Sequence, residues 1–128
     1  VVSAAHDTAF SRITVVVQGE PSTYDQILRQ LNKLVDVVHA TSHDSTDVVD
    51  REMALFKVNV DPKKRADIFQ IVEVFRAKTV DITDQSLVIE TTGDSSKIDA
   101  LEKLLGPMGL VEMVRSGKLI MKRGIEET

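Results

Sequence analysis

Three histidines, two sets of carboxylates and two basic runs are the residues of this 128-residue chain whose types could do chemistry. His39 and His43 lie close to Asp44 and Asp47, with His6 further upstream. Imidazole and carboxylate together can hold zinc, and a helix would bring residues four apart onto one face. Here the pair straddles the end of a segment that reads as extended, where that spacing separates the side chains. Solvent-facing histidines are therefore expected, and no metal site. Asp94, Asp99 and Glu102, and likewise Asp81, Asp84 and Glu90, could be acid/base pairs. Each falls at a helix start, on a polar helix face or in a turn, where solvated acids are ordinary. Lys63-Lys64-Arg65 falls in a first helical turn and reads as a solvated face. Ser116-Gly117-Lys118 lacks the spacing of a phosphate loop, because Gly109 is too far upstream and Leu119 follows the lysine. No serine stands in a Gly-x-Ser-x-Gly elbow, and the absence of cysteine removes thiolate nucleophiles and Cys-type zinc sites. No catalytic residue is expected.

Composition narrows the remaining classes. A chain that is 42% apolar and 28% charged, with net charge −4, can bury a core and keep a solvated surface. Four Phe, one Tyr and no Trp on a mildly acidic chain argue against nucleic acid, which selects basic faces with stacking aromatics. No apolar run approaches the roughly 18 residues of a membrane span, and no secretory signal pattern is present.

The positioning elements follow from periodicity. Ala54, Phe56, Val58 and Val60 share one face of an extended segment and Met53, Leu55, Lys57 and Asn59 the other, so Arg51 to Val60 opens as a strand. Asp61-Pro62 is a helix start, with Ile68, Ile71, Val72 and Phe75 as the buried stripe up to about Lys78. Val80 and Ile82 pair through Asp84-Gln85-Ser86 with Leu87 to Thr91. Ser95 or Ser96 caps a helix carrying Ile98, Leu101, Leu104 and Leu105, which Gly106-Pro107 ends, and Leu110 to Val114 closes the unit. That order, βαββαβ, is the ferredoxin-like arrangement. Upstream, Val1–Ala4, Ser11–Gln18, a four-turn helix capped by Ser22 with Tyr24, Ile27, Leu28, Leu31, Leu34 and Val35 as its stripe, and Val37–Thr41 match its last four elements. The fold class is therefore α+β, with two tandem ferredoxin-like units. Residues 1–47 form the first, which lacks an opening strand and helix, and 48–128 the second. The open sheet of the first is expected to self-associate.

Several whole segments carry a family resemblance. Ser11 to Gly19, Gln30 to Val37, Arg51 to Val58, Phe75 to Ile82, Thr92 to Ala100 and Glu112 to Lys118 lie in the right order, and together the chain resembles the small, regulatory subunit of acetohydroxyacid (acetolactate) synthase. The resemblance implies an N-terminal ACT domain, here incomplete, that binds valine or a related branched-chain amino acid, and a second ferredoxin-like domain. It implies a homodimer without catalysis of its own, docked on a catalytic subunit that carries thiamine diphosphate, Mg and FAD. Ser3 matches a position near the effector site and Gln26 a helix position tied to effector sensitivity, both peripheral. The segment that supplies most of that site precedes Val1 in the family, so no valine-dependent shift in melting is expected of these 128 residues. The resemblance places the protein in the cytoplasm of a bacterium, or in a plastid or mitochondrion, and not outside the cell. An amino-acid-sensing ACT module that controls another enzyme or regulator is the alternative.

Overall fold

A computed structural model describes residues 1–7, 9–44 and 46–128. The chain divides into two compact units, one made of Val1 with Asp50–Leu119, the other of Val2–Val49 with Ile120–Thr128.

The larger unit follows the periodicity closely. Its strand, β3 (Val48–Asn59), begins a few residues earlier than the alternation suggests. Asp61 caps a 3-10 turn, Pro62–Lys64, by accepting from the Lys63 N–H, and α2 (Arg65–Val74) continues from it. The helix stops well short of Lys78, which opens β4 (Lys78–Ile82); β5 (Ser86–Gly93), α3 (Ser95–Leu105) and β6 (Leu110–Arg115) follow. Asp94, not Ser95 or Ser96, caps α3, because its carboxylate reaches the Lys97 N–H at 2.9 Å. The strands order as β4-β5-β3-β6 with antiparallel neighbours, the ferredoxin-like sheet.

Both helices supply one core. Ile68 and Val72 of α2 and Ile98, Leu101 and Leu105 of α3 cluster with Ala54, Phe56, Val58, Val60, Leu87 and Ile89. Burying side chains of this size contributes about 1.5–3 kcal/mol each before conformational entropy is subtracted. Leu104, expected on the buried stripe, is 46% exposed, and Val80 and Ile82 are exposed on the edge strand β4. Gly109, with φ +103°, closes the turn into β6; its carbonyl accepts from the Asn59 N–H at 2.8 Å, and a Cβ there would collide with the Asn59 carbonyl.

The smaller unit departs further from its pattern. β1 (Val2–Ala4) pairs antiparallel with β2 (Ser11–Ile13), so the expected strand to Gln18 is cut short. Its alternation continues, but the ladder is three pairs long, and a strand extends only as far as a partner satisfies its backbone groups. Helix α1 (Pro21–Asn32) starts one residue before the predicted cap Ser22, with Glu20 at the cap position and Pro21 opening the first turn. Leu34 and Val35 lie beyond its end, and Val35 is fully exposed. The expected strand Val37–Thr41 does not form. Instead the Asn32 amide donates to the Leu28 and Ala40 carbonyls and accepts from the Ala40 N–H, offering that backbone an alternative to a ladder. β7 (Leu119–Lys122) pairs with β3, and the Arg123 N–H donates to the Asp47 carbonyl at 2.8 Å.

Candidate functional site

The most concentrated chemistry among the described residues is a charge cluster at one end of the larger unit. Glu52 continues the inward face of β3, two residues before Ala54, and is only 4% exposed. The register sets Ala54 opposite Arg115, so Arg115 arrives on the same helix-covered face. Its Nε donates to Glu52 Oε1 at 2.6 Å, and its Nη1 donates to Asp99 Oδ1 at 2.5 Å. Glu102 Oε2 stands 3.9 Å away, and Ser95 Oγ donates to the second Glu52 oxygen at 2.8 Å. The Arg115 hydrogen bond holds the Glu52 carboxyl below its ordinary value; burial opposes this and the Ser95 hydroxyl assists. The same bonds, to Glu52 first and Asp99 second, raise the Arg115 guanidinium further. The hydrogen bonds from Arg115 to Glu52 and Asp99 and from Ser95 to Glu52 all lie within the unit, so the cluster ties β3, β6 and α3 together.

The remaining candidates disperse. Asp94 caps α3, Asp84 sits in the β4–β5 turn, and Asp81 and Glu90 face Val88 and Lys78 across the ladder. Arg65 of the basic run donates to the Thr83 carbonyl. In the Ser116-Gly117-Lys118 run, the Ser116 hydroxyl accepts from the Met53 N–H at 3.0 Å, which makes it a turn fastening strand to strand. His6 and His39 are exposed, while His43 Nε2 lies 3.2 Å from Thr41 Oγ1. Among the described residues no three His, Cys, Asp or Glu side chains gather into a metal site. Ser3 lies half-buried in the middle of β1, and Gln26 on the exposed side of α1. No described helix is long and apolar enough to cross a membrane.

The Glu52–Arg115 pair belongs to no motif, yet the strand alternation carries a signal for it. A carboxylate in phase with Ala54, Phe56, Val58 and Val60 falls on the buried face and must find a cation there.

Comparison with known proteins extends over both units. Residues 51–124 match the family model described as the small subunit of acetolactate synthase. An acetolactate synthase small subunit of Mycolicibacterium smegmatis is 42% identical over 123 residues, covering 96% of this chain and 72% of that protein. A chloroplastic acetolactate synthase small subunit of Nicotiana plumbaginifolia is 44% identical over 110 residues, covering 86% of this chain and 24% of the longer plant protein. The crystal structure of an acetolactate synthase small subunit from Thermotoga maritima superposes with a TM-score of 0.88 at 37% identity, over 98% of this chain and 78% of that one. With its fold and its sequence related in this way along nearly its whole length, the chain belongs to the family of acetolactate synthase small subunits, the regulatory partners of a catalytic chain.

Proposed function

We propose that this chain binds the thiamine-diphosphate-dependent catalytic subunit of acetolactate synthase, raises its turnover and confers feedback inhibition by valine or a related branched-chain amino acid. The observation that carries the reading is the relation to small subunits through both compact units, not through one alone. Thiamine diphosphate, Mg and FAD then belong to the catalytic subunit. The unit containing Val2–Val49 is the effector unit, with Ser3 and Gln26 at the margin of its site.

That unit also supports a homodimer. Phe10, Ile13, Val15, Val16, Leu34 and Val35 are all exposed, more apolar surface than a solitary small unit ordinarily presents to water. A two-fold pairing is the simplest closed way to cover it.

The test is reconstitution. The chain is titrated into the catalytic subunit while acetolactate formation from pyruvate is followed, with and without valine. Activation that saturates with added chain is expected, and any valine inhibition should depend on the added chain. A catalytic subunit whose rate ignores the chain would sink the proposal, and sedimentation showing a monomer at micromolar concentration would remove the dimer.

A further inference from the structure

We draw no further inference here: the strongest candidate, the open cleft of about 550 Å³ where the β3–α2, β4–β5 and α3–β6 turns meet, carries none, because the charged side chains that line it, Asp61, Lys64 and Asp84, are exposed and of both signs, and so single out no class of ligand.

Discussion

Replacing Arg115 by Met removes the cation from a carboxylate that is 96% buried and leaves Glu52 with the Ser95 hydroxyl as its one remaining hydrogen-bond donor among the described residues. Breaking a buried pair from one side costs about 3–5 kcal/mol. Arg115 itself keeps a quarter of its side chain in solvent, so water entering at its position reduces this to about 2–3 kcal/mol. For a unit of this size each kcal/mol moves the midpoint by about 4–8 °C, so calorimetry on the full chain should show a drop of about 10–20 °C. The pH dependence gives a second readout. In the parent, Glu52 titrates below its ordinary value of 4.5, so its contribution is present above that value and is lost as the pH falls through the lowered one. Without Arg115 the largest lowering influence on Glu52 is gone, so as the pH falls below about 4.5 the parent loses a contribution that the variant lacks and the deficit should narrow. Adding Glu52→Gln to Arg115→Met removes the stranded charge and should recover about 1 kcal/mol or more at pH 7. A drop of less than about 3 °C at neutral pH, or a deficit that ignores pH, would refute the account of the cluster as a buried charge pair.

Thr91 is buried opposite Ala54 with a hydroxyl that has no partner among the described residues, so Thr91→Val should stabilise the larger unit by about 1 kcal/mol; an unchanged or lowered midpoint would show that the hydroxyl is satisfied. Gly109→Ala forces a side chain into a left-handed turn and against the Asn59 carbonyl, so a loss of about 2 kcal/mol or more is expected in urea unfolding, and a neutral result would mean that the turn adopts another shape. Asp94→Ala removes the α3 cap and should cost about 1 kcal/mol, with Asp94→Asn retaining most of it; equal losses in the two variants would point to charge, not to the cap bond.

The larger unit was legible because its strands and helices have partners of matching length. The alternation through Phe56 and Val58 and the stripe through Ile98 and Leu101 fix which faces meet, and the antiparallel order follows from the element sequence. The smaller unit was less legible, since alternation in Thr14–Gln18 and Val37–Thr41 records a capacity to pair that only a neighbouring strand can realise. Asn32 took up the backbone of Ala40 through a side-chain amide, a bond across eight residues that no period reveals. Of the charge cluster, Asp99 and Glu102 were visible only as residues of a polar helix face. Their convergence on Arg115 depends on the register between β3 and β6, which is a tertiary quantity.

The division of the chain sets an order of birth. Asp50–Leu119 is continuous, so during synthesis all of its strands and helices emerge in one stretch and can fold as soon as they clear the ribosome. The other unit is made in two parts, Val2–Val49 before that stretch and Ile120–Thr128 after it. At about 5–20 residues per second, Val2–Val49 waits several seconds for the segment that joins it. During that interval the apolar side chains of Phe10, Ile13, Val15 and Leu34 are available to any similar surface nearby. On a polysome, the nearest such surface is the same segment of the neighbouring nascent chain.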